Sequence, residues 1–263
     1  MSIMAIFRWV ALALGLIIAG YFPPAEAGWP QGFSVATANI GGTYFIWLGG
    51  WARIVSQQLA RPSSVEVTGG AVSNVQLIDS GETTFGGSTT GSLYDGWNGT
   101  GWAKGKRYRN VRVLFGMYSS YWNGYTLKKS GIRSIHDLQG KRVSVGPAGG
   151  TPDVYGRLLL DVLGVKPARI VNLGWESTND QMKDGLMDAC LAWGGIPQPS
   201  VLEMETTHPV TVFGLSEPDI RKMVEKYPFL SRAVLPRGTY KSAAADLPTI
   251  AVGNFLIAHK DLD

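Results

Sequence analysis

The turn Gly41-Gly42-Thr43-Tyr44 constrains the fold more than any other short stretch of the sequence. It ends the apolar run 33–38 and opens a segment with helical periodicity. The apolar face predicted for that helix consists of Tyr44, Leu48, Trp51, Val55 and Leu59. The pattern therefore predicts a strand, a glycine turn and a helix start. The unpaired N–H groups of a first helical turn lie at the positive end of the helix dipole, so such a corner can bind an anion.

A second copy of this pattern lies about 100 residues further on, where the run 142–145 is followed by Gly149-Gly150-Thr151 and Pro152. Its predicted apolar face consists of Val154, Leu158, Leu159 and Val162. We expect Thr151 to be the N-cap and Pro152 the first helical residue, with Thr43 as the matching cap in the first copy.

The features after each helix also repeat. A short β-like run is followed by a polar helix start, at Ser73-Asn74 and at Ser177-Thr178-Asn179, and then by a helix that ends at Gly81 or Gly185. The repetition leaves two interpretations open. The chain forms either two similar α/β lobes or one open α/β sheet whose βαβ units look alike.

The N-terminal segment 1–27 has the features of a signal peptide. It carries Arg8, an apolar core from Trp9 to Gly20, and the A-x-A sequence Ala25-Glu26-Ala27. The apolar core is too short to span a bilayer. We predict cleavage after Ala27 and export to the periplasm, with an uncleaved membrane anchor as the alternative.

Charge and basic residues argue against a nucleic-acid partner. The formal net charge is only +4, which is compatible with a small anionic ligand. A short basic cluster is formed by Lys104, Lys106, Arg107 and Arg109. We interpret this cluster as a solvated loop or helix end, and we predict no nucleic-acid binding.

The sequence lacks the usual signatures of catalysis. Cys190 is the only cysteine, so no intrachain disulfide can form, and its apolar neighbours predict a buried strand. The histidines His136, His208 and His259 have no zinc-ligand spacing. Neither a G-x-S-x-G elbow nor a phosphate-binding G-x-x-x-x-G-K-[ST] loop is present. We predict a protein that is not an enzyme, without catalytic residues, metal ligands or cofactor.

Several longer stretches resemble one family of receptors. The run 130–146, SGIRSIHDLQGKRVSVG, resembles the start of the second lobe in the TAXI receptors, the solute-binding proteins of one branch of the tripartite ATP-independent periplasmic (TRAP) transporters. The likeness extends to the turn Gly41–Tyr44 and to the stretches 65–74, 183–189, 226–229, 238–241 and 247–252. It implies a type II periplasmic-binding-protein fold, with two α/β lobes, two crossovers forming a hinge, and the ligand cleft between them. The resemblance thus favours two lobes over a single open sheet.

The resemblance also implies lobe boundaries and partners. Lobe I would contain residues 28–122 and 247–263, and lobe II residues 123–246. Family ligands are small carboxylates such as glutamate or 2-oxoglutarate, delivered to TRAP permease subunits, and we expect a monomer. Two departures stand out. Residues 83–90 differ from the family pattern, and family members usually continue beyond the position of Asp263 with helices packed on lobe I, so we expect those helices to be lacking.

The expected ligand contacts come from the two glycine turns and from two strand ends, because ligands of open α/β sheets bind beyond the carboxyl ends of strands. They are Gly42, Thr43, Tyr44, Ser88, Thr89, Gly150, Thr151, Trp193 and Gly194. Each has a structural alternative. The threonines are expected to cap their helices in either case, Ser88 and Thr89 can form a turn, and Tyr44 and Trp193 can belong to the core. No arginine stands out as a carboxylate clamp, while Tyr118, Tyr121 and Trp122 can line the hinge.

The predicted function is that of a binding protein whose lobes close around a small anion for delivery to a permease. Two other functions remain open at this point. The protein can present its ligand to a sensor protein, or it can be an exported α/β enzyme that uses the same cleft.

Overall fold

A computed structural model describes residues 31–262, and the predicted signal peptide and its cleavage site lie outside this range. Strands and helices alternate as the sequence pattern predicts. The strands are β1 (Phe33–Ala36), β2 (Ser63–Glu66), β3 (Phe85–Thr89), β4 (Val111–Leu127), β5 (Arg142–Ser144), β6 (Arg169–Val171), β7 (Ala189–Gly194), β8 (Val210–Phe213), β9 (Leu230–Leu235) and β10 (Leu247–His259). The helices are α1 (Thr43–Leu59), α2 (Ala71–Ser80), α3 (Thr90–Asn98), α4 (Thr151–Leu163), α5 (Trp175–Lys183), α6 (Pro199–Thr207) and α7 (Glu217–Lys226).

The strands form one mixed sheet in the order β2-β1-β3-β10-β4-β7-β5-β6, with β8 also paired to β4 and β9 to β10. At one end, β1 pairs in parallel with β2 and β3. At the other end, β5 pairs in parallel with β6 and β7. We call β1–β3 with α1–α3 the first half, and β5–β8 with α4–α7 the second half.

Two long antiparallel strands, β4 with 17 residues and β10 with 13, connect the halves. Strand β10 pairs with β3 of the first half, and the last part of β4 pairs with β7 and β8 of the second half. Tyr121 is where β4 changes partner, because it pairs with Ala251 of β10 and with Gly194 of β7. The expected lobe boundary at residues 122 and 123 lies next to this point, and the other boundary is the first residue of β10. The division into lobes itself stays a prediction.

The buried face of α1 follows the predicted stripe with one exception. Tyr44, Leu48 and Ala52 are buried, and Trp51 and Val55 pack against them at the edge of the first-half core. The prediction for Leu59 was wrong, since its side chain is 43% exposed. Leu59 is the last helical residue, and the chain turns at Ala60 towards β2.

The core of the second half uses a face of α4 that is rotated from the predicted one. Tyr155, Leu159 and Leu160 are buried, whereas the remaining members of the predicted stripe, Val154, Leu158 and Val162, are partly buried. Cys190 is a buried free thiol in β7, as predicted, and burial raises its pKa to about 12. Such a thiol stays protonated at neutral pH and cannot act as a nucleophile.

Within residues 31–262 no helix is long and apolar enough to cross a membrane. In the same range, no group of His, Cys, Asp and Glu side chains is placed to hold a metal ion.

Candidate functional site

A small cavity of about 50 Å³ lies between the two halves. The ends of β1 and β7 and the first turns of four helices form its wall. Seven of the nine residues expected to contact the ligand line this cavity. They are Gly42, Thr43, Tyr44, Gly150, Thr151, Trp193 and Gly194. The fold thus brings the two glycine turns, 108 residues apart in the chain, to one place.

Four helices begin at this cavity, and each is capped by a glycine. The N-caps are Gly42 for α1, Gly70 for α2, Gly150 for α4 and Gly174 for α5, and none is accompanied by a side-chain cap hydrogen bond. In α1 the first helical bond runs from the N–H of Ile46 to the carbonyl of Gly42, which leaves three earlier N–H groups outside the helical ladder. The four helix dipoles place partial positive charge around the same small volume.

The expectation that Thr43 and Thr151 are N-caps was wrong. Both are the first residues inside their helices, and Pro152 follows as the second residue of α4. The preceding glycines take the extended cap conformation, with φ of −87° at Gly42 and −78° at Gly150. Because glycine has no side chain, no cap hydroxyl bonds to the first N–H groups of these helices.

The polar segments expected to start the next helices lie inside those helices. Helix α2 begins at Ala71, so Asn74 is in its first turn, buried beneath the sheet. Its Nδ2 donates to the carbonyls of Thr37 (2.8 Å) and Gly87 (2.7 Å), and thereby ties β1 to β3. Likewise α5 begins at Trp175, two residues before the predicted polar start. As at Gly41-Gly42, a glycine immediately precedes each of these helices: Gly70 before α2 and Gly174 before α5.

The two halves touch in several places, including Gly42 against Trp175 and Ser92 against Tyr155, and two further contacts lie on the margin of the cavity. At the first, which we call the glycine rim, Gly69 and Gly70 meet Gly149 and Gly150, and the N–H of Val72 donates to the carbonyl of Gly149 at 3.2 Å. A Cβ on Gly69 would lie only 2.4 Å from the carbonyl oxygen of Ala148. The glycine rim therefore closes only because these side chains are absent.

At the second place, which we call the threonine rim, the side chain of Thr43 meets the backbone of Gly195. The Oγ1 of Thr43 donates to the carbonyl oxygen of Gly195 at 3.3 Å. A Cβ on Gly195 would lie 2.6 Å from Cγ2 of Thr43. Both margins of the cavity thus make direct contacts between the halves.

Four aromatic side chains, those of Tyr44, Tyr118, Trp175 and Trp193, complete the wall. Two of them use their polar atoms within the fold. The hydroxyl of Tyr44 donates to Oδ1 of Asn254 at 2.5 Å, and Nε1 of Trp193 donates to the carbonyl of Ser120 at 3.1 Å. Trp193 therefore belongs both to the second-half core and to the cavity wall. The sequence analysis had treated core and ligand contact as alternatives for this residue.

Tyr118 and Trp175 differ from the other two, because their polar atoms are available. The hydroxyl of Tyr118 is buried and has no hydrogen-bond partner among the described residues. Nε1 of Trp175 lies 3.1 Å from the position that a Cβ of Gly42 would take, at the start of α1. Neither residue was among the predicted contacts, since a single aromatic residue in a sequence looks the same in a core as in a binding site.

Burial keeps the tyrosine hydroxyls of the wall neutral. It raises the pKa of Tyr44 well above its ordinary value, with the nearby tyrosines Tyr118 and Tyr155 as smaller causes. Burial raises the pKa of Tyr118 as well. Within the described residues, no Lys, Arg, His, Asp or Glu side chain lines the cavity. The site therefore offers neutral donors and helix dipoles to an anion, and no counter-ion.

Ser88 and Thr89 are not part of the cavity wall. Both are fully buried, and their hydroxyls bond within the first half. The Oγ of Ser88 donates to the carbonyl of Ala71 at 3.0 Å, and the Oγ1 of Thr89 accepts from the N–H of Ser92 as the N-cap of α3. Their role in this structure is to connect β3 to the helices around it.

Residues 35–263 match the sequence model of the NMT1-like family. The chain belongs to the NMT1-like family. The match spans both halves and every residue of the cavity wall.

Solved structures with a similar fold come from periplasmic and other solute-binding proteins. The alkanesulfonate-binding protein SsuA from Xanthomonas axonopodis pv. citri, bound to MOPS, aligns with 13% identity and a TM-score of 0.51, over 89% of this chain and 67% of its own. The GluR0 ligand-binding core from Nostoc punctiforme, in complex with L-glutamate, aligns with 15% identity and a TM-score of 0.51, over 88% of this chain and 86% of its own.

A third neighbour is the substrate-binding protein of an ABC uptake transporter from Streptococcus pneumoniae, with bound histidine. It aligns with 10% identity and a TM-score of 0.54, over 88% of this chain and 80% of its own. At such identities the likeness establishes the fold. This NMT1-like chain has an α/β fold with a mixed sheet that matches the periplasmic binding proteins, as the sequence analysis expected.

Proposed function

We propose that this NMT1-like protein is an extracytoplasmic receptor that encloses a small organic carboxylate between its two halves. The observation that carries the proposal is the convergence of four glycine-capped helix starts on one cavity without a charged side chain. Each helix terminus stabilises an anion by about 0.3–1 kcal/mol, and up to ~2 kcal/mol where it is partly buried. Such a wall accommodates a carboxylate without a side-chain counter-ion.

Ligand capture follows from the two rims. Their contacts join residues of opposite halves, so opening the cavity means breaking them, and a ligand that bridges the halves favours the closed form. The long strands β4 and β10 are the connections about which such a motion would occur. The closed form then presents a surface that a membrane permease can recognise.

The finer assignment rests on the sequence resemblance to the TAXI receptors. It supports a glutamate-like or 2-oxoglutarate-like ligand, a TRAP permease as partner, and a periplasmic location after cleavage of the signal peptide. The fold by itself does not select a ligand, because its neighbours hold MOPS, glutamate and histidine.

The composition of the wall supports binding over catalysis. An enzyme needs a positioned acid, base or nucleophile. The wall offers instead glycine and proline backbone, the amide of Asn39, a few hydroxyls, two alanines and aromatic rings. The hydroxyls of Tyr44 and Tyr118 stay protonated at neutral pH, because burial raises the pKa of both, so neither supplies a phenolate as a base.

The proposal is tested by a thermal-shift screen of the protein starting at Gly28 against small carboxylates, amino acids and sulfonates, followed by calorimetric titration. We expect at least one carboxylate to raise Tm and to be recovered unchanged. If no carboxylate raises Tm, or if a hit is converted to product, the proposal is wrong. Loss of carboxylate uptake on deleting the gene would indicate transport, whereas intact uptake would indicate presentation to a sensor.

A matched pair of variants locates the site. Tyr118→Phe removes a hydroxyl that has no partner in the fold, so we expect an unchanged Tm without ligand and roughly tenfold weaker carboxylate binding. Tyr121→Phe lies on the same strand but outside the cavity wall, and should leave binding unchanged. Equal binding by the Tyr118 variant and the parent would exclude this hydroxyl from the site.

A further inference from the structure

The cavity wall has donors for an anion but no side chain that could balance a buried cation. Within residues 31–262, no Asp or Glu side chain lines the wall, so an ammonium group there would have no carboxylate partner. The starts of the four helices add partial positive charge, which attracts an anion and repels a cation. The remaining polar side chains of the wall are amide and hydroxyl groups, which offer an ammonium only uncharged acceptors. The wall therefore distinguishes carboxylates with an amino group from those without one.

Two neutral donors of the wall have no partner in the described part of the chain. The hydroxyl of Tyr118 is buried and makes no hydrogen bond there. Nε1 of Trp175 makes none either, although Trp175 is only 6% exposed. In contrast, Nε1 of Trp193 donates to the carbonyl of Ser120. An indole N–H only donates, so the free donor of Trp175 can pair with an acceptor on the ligand and not with an ammonium.

The position of the two donors relates them to the helix starts. Nε1 of Trp175 lies 3.1 Å from the position that a Cβ of Gly42 would take, at the start of α1. The ring of Tyr118 packs against that of Tyr44 in the first turn of α1, with 6.2 Å between the ring centroids. A carboxylate held at the start of α1 thus has both donors nearby, where they can reach a group next to the carboxylate.

We infer that the cavity selects carboxylates without an amino group, and that Tyr118 and Trp175 favour a 2-oxo acid over the 2-amino acid with the same carbon chain. This inference rests on the proposed function, in which the helix starts hold the carboxylate. A keto oxygen accepts hydrogen bonds and carries no charge, so it matches the two free donors. An ammonium in its place would be buried beside positive helix ends without a counter-ion. Of the two ligand types in the proposed function, the 2-oxoglutarate-like one is favoured.

The test compares three pairs of compounds by calorimetric titration. They are pyruvate and alanine, 2-oxobutyrate and 2-aminobutyrate, and 2-oxoglutarate and glutamate. The members of a pair differ only in the oxo or amino group. We expect at least one oxo acid to bind, and to bind at least tenfold more tightly than its amino partner.

Three other outcomes are informative. An amino acid that binds as tightly as its oxo partner overturns the inference and indicates that the aromatic rings hold the ammonium by cation–π contact. Binding of other carboxylates in the wider screen, with none of the oxo acids bound, overturns it as well. Both outcomes leave the proposed function intact. If the whole carboxylate screen is empty, the proposed function itself fails.

Trp175→Phe tests the indole donor, because it removes Nε1 and keeps an aromatic ring. The measured quantity is the ratio of the affinities for an oxo acid and for the same chain without the oxo group, such as pyruvate and propionate or 2-oxoglutarate and glutarate. We expect Trp175→Phe to lower this ratio about fivefold. Trp193→Phe is the matched control, since its Nε1 is already bonded to Ser120. Both changes shrink a ring of the wall and weaken binding overall, but only Trp175→Phe should change the ratio.

Tyr118→Phe gives an independent measurement of the same ratio. The hydroxyl that it removes has no partner within the described residues, so the variant should fold like the parent. We expect a similar fall in the preference for the oxo acid. Parental ratios in both Trp175→Phe and Tyr118→Phe overturn the assignment of the two donors. The two residues are on different elements, so a folding failure of one variant leaves the other to decide.

Discussion

The glycine rim and the threonine rim close the same cavity by different means. At the glycine rim, backbone meets backbone, and the N–H of Val72 bonds to the carbonyl of Gly149 across the gap. At the threonine rim, one side-chain hydroxyl reaches the carbonyl of Gly195. The first contact depends on side chains that are absent, and the second on a side chain that is present. The glycine rim is therefore broken by adding atoms and the threonine rim by removing them.

This difference predicts unequal tolerance to mutation. Added atoms at the glycine rim collide with carbonyl oxygens, which cannot move without shifting the backbone, and overpacking of that kind costs about 1–3 kcal/mol. Loss of the single hydroxyl bond at the threonine rim costs about 1 kcal/mol.

The largest effect is expected for Gly69→Ala. Its Cβ would lie 2.4 Å from the carbonyl oxygen of Ala148 and 2.6 Å from Oγ of Ser73. The φ of Gly69 is not in the left-handed region, so alanine fits the backbone of an open form. We expect roughly 30- to 150-fold weaker carboxylate binding by calorimetry, equivalent to about 2–3 kcal/mol. X-ray scattering should show a larger radius of gyration than that of the parent.

Combining Gly69→Ala with Ser73→Ala is the control for this prediction. The double variant removes the contact with the serine hydroxyl but keeps the collision with Ala148 across the rim. It should remain as weak in binding as Gly69→Ala alone. Recovery of binding would show that crowding within the first half, and not blocked closure, causes the loss.

A smaller loss is expected for Gly150→Val. A Cβ there would lie 3.1 Å from the carbonyl oxygens of Gly69 and Pro147, which is tight contact and not a severe clash. The extended conformation of Gly150 is one that valine adopts readily. We expect roughly 5- to 30-fold weaker binding, equivalent to about 1–2 kcal/mol. Binding as tight as that of the parent would mean that the start of α4 does not form part of the site.

Thr43→Val tests the threonine rim. Valine keeps the shape of threonine but loses the hydroxyl that bonds to Gly195. We expect about fivefold weaker binding, corresponding to ~1 kcal/mol. Thr43→Ser retains the hydroxyl and should bind more tightly than Thr43→Val. Equal affinities for the two variants would show that the hydroxyl does not stabilise the closed form.

The smallest effect is expected from pH, because both rims are joined by N–H, carbonyl and hydroxyl groups. Burial raises the pKa of Tyr44 and Tyr118, so the wall phenols stay neutral through pH 9. Affinity for a carboxylate should be constant between pH 6.5 and 9 by calorimetry. In the unfolded chain phenols ionise near pH ~10, so the tyrosine contribution to the free energy of unfolding is complete below that pH and lost above it. A change in affinity within the neutral range would reveal a titrating group at the site.

The sequence pattern predicted much of the cavity wall, because a glycine turn and a helix start are local features. The pairs Gly41-Gly42 and Gly149-Gly150 placed two helix starts correctly. The cap assignment of Thr43 and Thr151 failed, because statistics favour hydroxyl caps over glycine, while the structure uses the glycine one residue earlier in each case. Ser88 and Thr89 lie at a strand end, yet their hydroxyls are taken by neighbours that no pattern identifies.

The sequence by itself determined the order of strands, glycine turns and helices, and the burial of Cys190, since these depend on backbone sterics and on neighbouring apolar residues. Only the tertiary structure decided which polar atoms are left for a ligand. Thr43 bonds to a residue 152 positions away, and Tyr44 to one 210 positions away, while Tyr118 has no partner in the described part of the chain. Whether a hydroxyl finds a hydrogen-bond partner depends on residues that are distant in the sequence. The pairing of β4 with both β10 and β7 brings such residues together.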